Sequence, residues 1–128
     1  MPRAPNRLRA YRWGYHAEGL AAFALMLKGY QILAKRYHAR GGEIDLVVRR
    51  GQVLAFVEVK ARAQFDMALE AIDGIKRQRI GKAVNQWLYR HASRHQDQKN
   101  MILRGDAVIV VPWRWPHHIE DAFDLPID

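Results

Sequence analysis

Val53-Leu54-Ala55-Phe56-Val57-Glu58-Val59-Lys60-Ala61-Arg62 sets charges into what otherwise reads as a buried strand. Its first five residues are apolar and partly β-branched, with no turn former among them. Side chains alternate along a strand with a period of two, so Glu58 and Lys60 leave the same face while Val57 and Val59 leave the other. A strand of this character has little reason to carry an acid and an amine unless they are used.

Upstream, Gly41-Gly42 is a turn signal and Glu43-Ile44-Asp45-Leu46-Val47-Val48 a second strand. Arg49-Arg50-Gly51-Gln52 joins the two at hairpin length, and Gly51 can supply a positive φ. Antiparallel pairing about Gly51 brings Asp45 opposite the end of the strand that bears Glu58. Two carboxylates and an ammonium at one end of a buried hairpin are costly unless neutralised. A hard divalent cation, Mg²⁺ or Mn²⁺, does this: it takes oxygen from one or two carboxylates and keeps waters able to attack a phosphodiester. Lys60 then steadies the attacking water or the charge developing on phosphorus. The plain alternative is a cross-strand ion pair, since Glu-x-Lys alone is a common pattern.

The chain has 128 residues, 49% of them hydrophobic, which suits one domain with a proper core. Cysteine is absent, which removes disulfide scaffolds, thiolate zinc sites and cysteine nucleophiles. No apolar stretch is long enough to span a bilayer, and no signal-like segment follows the basic N-terminus, so the expectation is a cytoplasmic protein with no membrane partner. Net charge is +8. Arg3, Arg7, Arg9 and Arg12 balance Glu120, Asp121, Asp124 and Asp128, so the body between the tails carries the whole excess. Such a body points to a polyanionic partner, nucleic acid above all.

In chain order, residues 1–12 read as a flexible basic arm and 13–128 as a single domain. A first helix is expected from about Tyr15 to Lys28, with Leu20, Phe23, Ala24 and Leu27 on the core side and Gly29 as its stop. Glu18 is its only acid. It is either a dipole-favoured residue near the helix start or a third carboxylate aimed at the hairpin. Tyr30 to Tyr37 follows as a strand, with Ile32 and Leu33 contributing to the core.

After Arg62 the spacing becomes helical. Ile72, Ile75, Ile80, Ala83, Val84, Trp87 and Leu88 approximate one stripe, with the helix starting between Ala68 and Ile75. Lys76, Arg77, Arg79, Lys82 and Arg90 populate the rest, as a solvated face or as a grip on a sugar-phosphate backbone. Met101 to Val111 is a further strand. Strand, long helix and strand imply a right-handed crossover that sets it parallel to the Glu58 strand. Trp113 and Trp115 are expected to cover a core edge rather than stack on bases, and Ile119 and Phe123 to add a closing element. His117-His118 is a weak zinc signal.

Glu18 on a first helix, Gly42-Glu43-Ile44-Asp45, and Phe56-Val57-Glu58-Val59-Lys60-Ala61-Arg62 together resemble the YraN family of bacterial predicted endonucleases. That family is similar to archaeal Holliday junction resolvases and the wider PD-(D/E)XK, or restriction-endonuclease-like, superfamily. Here Ile44 stands where the PD pair has proline. The resemblance implies an α/β fold: helix, three-strand antiparallel meander, helix and parallel strand in a mixed sheet flanked by helices. It implies Asp45 and Glu58 as metal ligands, Lys60 as the catalytic lysine and Glu18 as a further acidic site residue. The leading expectation is thus a Mg²⁺- or Mn²⁺-dependent endonuclease acting on structured or branched DNA, with Lys76, Arg79 and Lys82 on the backbone and a homodimer as an attractive assembly. The rivals are a non-catalytic protein binding DNA or RNA, and an adaptor for an acidic protein.

Overall fold

The computed structural model describes residues 16–62, 74–91 and 100–126. The basic arm over 1–12 and the expected stripe residue Ile72 lie outside them. Helix α1 covers 16–27, followed by β1 (Gln31–Ala39), β2 (Gly42–Arg50), β3 (Val53–Ala61), helix α2 (Gly74–His91), β4 (Ile102–Val110) and β5 (His117–Phe123). The strands form one sheet in the order β1-β2-β3-β4-β5. Strands β1, β2 and β3 are an antiparallel meander, β4 is parallel to β3, and β5 is antiparallel to β4. This is the restriction-endonuclease-like order expected, extended by β5 where only a closing element was read.

The turns form where the sequence provides for them. Gly29, Gly41 and Gly51 all have positive φ, at 93°, 80° and 60°. The first ends α1, its N–H bonding to the Met26 carbonyl at 3.0 Å; the others turn the two hairpins. Gly42 has a different task. A Cβ there would lie 1.9 Å from the Arg79 carbonyl oxygen, so glycine alone lets α2 settle this close to the start of β2.

Each sheet face carries a helix. Below α1, Leu46, Val48, Ala55, Val57, Val108 and Val110 pack with Ala17, Ala21, Ala22, Leu25 and Tyr30. On the other face Ile44, Val47, Leu54, Phe56 and Phe123 pack with Ile80, Ala83, Val84 and Trp87 of α2. From Ile80 to Trp87 the expected stripe holds, with Leu88 at its margin, while the Ile75 side chain lies outside the described residues.

Helix α1 departs from expectation. Ala24 is buried, but Leu20, Phe23 and Leu27 are exposed, and the sheet receives the alanines and Leu25 instead. The helix has two apolar stripes. A row of methyl groups lets its backbone lie closer to a broad sheet than leucines would, and close packing favours that side. Trp113 and Trp115 also depart from the reading that they cover a core edge: both are exposed, and Trp115 makes an edge contact with Phe23 on the outer side of α1, centroids 6.4 Å apart.

Candidate active site

The β2–β3 ladder runs from Arg50 opposite Val53 to Leu46 opposite Val57 and ends there, so Asp45 and Glu58 are the first residues beyond its last pair. There the backbone N–H of Val59 donates to Asp45 Oδ2 at 2.8 Å. The side chain has taken the place of a ladder carbonyl. Around it the strand's alternation reverses: Ile44 packs with the α2 layer, whereas Leu46 and Val48 pack under α1. In β1, Tyr37 faces Ile44 and Lys35 faces Leu46, which puts Arg36 across from Asp45, and Arg36 has a φ of 49°. The kink in both strands aims Asp45 along the sheet end.

Glu58 is 5% exposed and Lys60 is 7% exposed, both set by the alternation of β3. Glu58 is neutralised from α2, where the Lys76 ammonium pairs with its Oε1. Glu18, on α1, pairs with the Arg36 guanidinium. Burial, then the charge of Glu58 and, more weakly, that of Glu18 push the Asp45 carboxyl up from 3.8 to about 7, against the Val59 hydrogen bond and Lys76. Acids from α1 and β3 therefore both act electrostatically on Asp45 of β2. Among the described residues, however, no three His, Cys, Asp or Glu side chains lie together tightly enough to hold a metal ion.

The two carboxylates that could hold a cation are Asp45 and Glu58. Mg²⁺ needs only one or two carboxylates, the rest of its shell being water, and it would offset both the burial that chiefly raises Asp45 and the neighbouring charge of Glu58. Of Lys76, Arg79 and Lys82, the α2 cations expected on a nucleic-acid backbone, Lys76 reaches Glu58. Arg79 lies 3.8 Å from Glu43, and Lys82 extends over the Gly41 turn. They continue from the carboxylates along one side of α2, at a helical spacing of three residues.

A second polar centre lies under the other end of α1. Asp106 of β4 is 0% exposed and is bound by Arg104 Nε at 2.8 Å, His118 Nε2 at 2.7 Å and the Asp121 N–H at 3.0 Å. The Lys28 ammonium donates to His118 Nδ1 at 2.6 Å, which leaves Nε2 as the protonated nitrogen facing Asp106. Arg104 also donates to the Tyr30 hydroxyl at 2.6 Å. Burial raises the Asp106 carboxyl, but the His118 and Arg104 hydrogen bonds outweigh it and hold the group at about 2. Every polar atom has a local partner, so the cluster ties α1, β4 and β5 together. Sequence reasoning passed over it, although an acid directly before Ala107-Val108-Ile109 is the same anomaly that drew attention to Glu58.

The chain matches the model of the uncharacterised protein family UPF0102 over residues 17–110, which span both carboxylates, Lys60 and α2. It is 53% identical over 124 residues to a UPF0102 protein of Methylorubrum populi, covering 97% of this chain and 95% of the relative. A UPF0102 protein of Mesorhizobium japonicum is 52% identical over 118 residues, covering 92% and 91%. With the family model and relatives across nearly the whole length in agreement, the chain belongs to the uncharacterised protein family UPF0102, the YraN family that its motifs resemble.

Proposed function

We propose that this protein is a Mg²⁺- or Mn²⁺-dependent phosphodiesterase that cuts DNA, structured or branched DNA in particular. The observation that carries the reading is the burial of Glu58 and Lys60 two residues apart on β3, with Asp45, just past the end of the β2–β3 ladder, held by the N–H of Val59 between them. Asp45 and Glu58 would hold the ion, which when bound supplies a water of lowered pKa and neutralises charge on the phosphate. Lys60 orients that water and faces the developing oxyanion. Glu18, from α1, keeps the mouth of the site acidic and positions solvent. Lys76, Arg79 and Lys82 take the sugar-phosphate backbone, with Lys76 exchanging Glu58 for a phosphate.

A nuclease assay on linear, flapped and four-way DNA tests this, comparing the unmodified protein with Glu58→Ala and Lys60→Ala. Cleavage dependent on Mg²⁺ or Mn²⁺ and reduced at least about 100-fold in both variants is the expected result. Equal residual cleavage in all three proteins would sink it.

The second reading is a non-catalytic protein that binds DNA or RNA on the same face. It is favoured by the Lys76–Glu58 pair, which already neutralises the site, and by the lack of a three-acid cluster among the described residues. It predicts salt-sensitive binding that chelation leaves unchanged. No described helix is long and apolar enough to cross a membrane, and the basic body suits a cytoplasmic partner. A two-fold dimer would present two such sites to a junction.

A further inference from the structure

Parallel pairing places the loop after β4 at the same sheet end as the carboxylates. Glu58 stands beside Ala107, Lys60 beside Ile109 and Ala61 beside Val110, and the Arg62 N–H continues the pairing to the Val110 carbonyl at 3.1 Å. Partners in register share a face, so Ile109 lies on the Lys60 face, one strand spacing of about 4.8 Å away. Ile109 forms the floor of a hollow of about 160 Å³ whose other walls are Val111, Arg114, Trp115 and His117. This is well below the ~300–1,000 Å³ of sites for drug-sized ligands and suits a single flat ring system.

The rim is built for the same kind of guest. Trp113 is fully exposed and has a φ of 66°, an uncommon conformation for a bulky residue. Trp115 is 63% exposed. Between them stands Arg114, also exposed, whose N–H closes the turn on the Val111 carbonyl at 3.2 Å. Two aromatic faces flanking a guanidinium, on a chain of net charge +8, match a string of bases linked by phosphates. A second copy of this chain docked on this loop would bring the same positive charge to it and is disfavoured as its occupant.

We propose that Trp113, Arg114 and Trp115 form a subsite for unpaired nucleobases: one base enters the hollow against Trp115, its neighbour stacks on Trp113, and Arg114 holds the phosphate between them. The subsite deepens the nucleic-acid reading given above and rests on its binding half. It defines the substrate as one with single-stranded nucleotides beside the phosphate presented to Lys60. Duplex lacking a flap, gap or branch has no base to offer it.

The test is binding by the full chain in EDTA, read by tryptophan fluorescence and by anisotropy of labelled oligonucleotides: single-stranded DNA, single-stranded RNA, blunt duplex and a flapped duplex. Single strands and the flap should quench the indole emission. Trp113→Ala and Trp115→Ala should each weaken single-strand and flap binding by about 5- to 100-fold, leave the blunt duplex within about twofold, and be largely rescued by Trp113→Phe and Trp115→Phe. Trp113→Ala touches no core contact, and an unchanged Tm for both alanine variants separates lost stacking from lost folding. Equal weakening on duplex and single strand overturns the proposal, as does a concentration-dependent dimer abolished by Trp113→Ala, which would assign the surface to a second copy. RNA binding as tightly as DNA keeps the subsite and removes only the deoxyribose preference. A chain that shows this pattern but never cuts keeps the subsite and loses the active site; one that cuts with both tryptophans replaced and its preference unaltered loses the subsite alone.

Discussion

The ammonium of Lys76 rests on Oε1 of Glu58, so the helix that crosses the sheet supplies the counter-charge for the most buried acid of the site. The two residues come from separate elements and meet at the end of β3. Lys76 is half in solvent while Glu58 is not, and the pair is therefore easier to open from the lysine side.

Lys76→Met removes that counter-charge and should lower stability by about 1–2 kcal/mol, less than the ~3–5 of a fully buried pair because the lysine is partly solvated. Urea denaturation at neutral pH measures the loss. Saturating Mg²⁺ should restore most of it if Asp45 and Glu58 accept the ion, and a loss indifferent to Mg²⁺ would count against that assignment.

Asp45 gives a pH dependence of opposite sign to that of most carboxylates. Its pKa is about 7 in the folded protein against 3.8 otherwise, so the unfolded chain gives up this proton first. The contribution is intact below about pH 4 and is lost as pH climbs to 7, at up to roughly 1.4 kcal/mol per pH unit. Asp45→Asn keeps a side-chain oxygen for the Val59 N–H and should melt several degrees higher than the unmodified protein at pH 8. Near pH 4 the two melting curves should coincide.

Asp106 behaves the other way. Its folded value of about 2 lies below 3.8, so the stability it provides is present above pH 4 and drains away as pH falls toward 2. Asp106→Asn should cost about 3 kcal/mol at pH 7, chiefly by removing the buried charge on which Arg104 and His118 converge, with only the more distant Glu120 left to pair Arg104. The penalty should shrink steadily in denaturation curves taken from pH 4.5 down to pH 2.

The two stripes of α1 can be told apart by substitution. Ala21→Leu inserts bulk where the helix meets the sheet and should destabilise by about 2 kcal/mol or more. Leu27→Lys, which the sequence alone would judge severe, should fall within about 0.5 kcal/mol of neutral. Thermal unfolding of the pair decides which face is buried.

The hairpin was legible because everything that fixes it is local: alternation in Val53-Leu54-Ala55-Phe56-Val57, a glycine at 51, and charges at 58 and 60 that a buried strand does not otherwise hold. The parallel placement of β4 followed from the helix between it and β3. The buried face of α1 could not be read in the same way. Leucine outranks alanine on any hydropathy scale, and only the sheet's demand for close approach reverses the choice. The Asp106 cluster was hidden for a related reason. Tyr30 and Arg104 are 74 positions apart, and no spacing rule joins residues that meet only after the sheet has formed.

The alanine face of α1 makes its contact with the sheet close but thin. A methyl group withdraws far less apolar surface from water than an isobutyl group, so the helix is held by little area for its length. Hydrogen exchange should find α1 opening well before the strands beneath it. Each such opening carries Glu18 away from Asp45 and leaves the sheet-borne pair in place, so the acidity of the site can fluctuate without the fold coming apart.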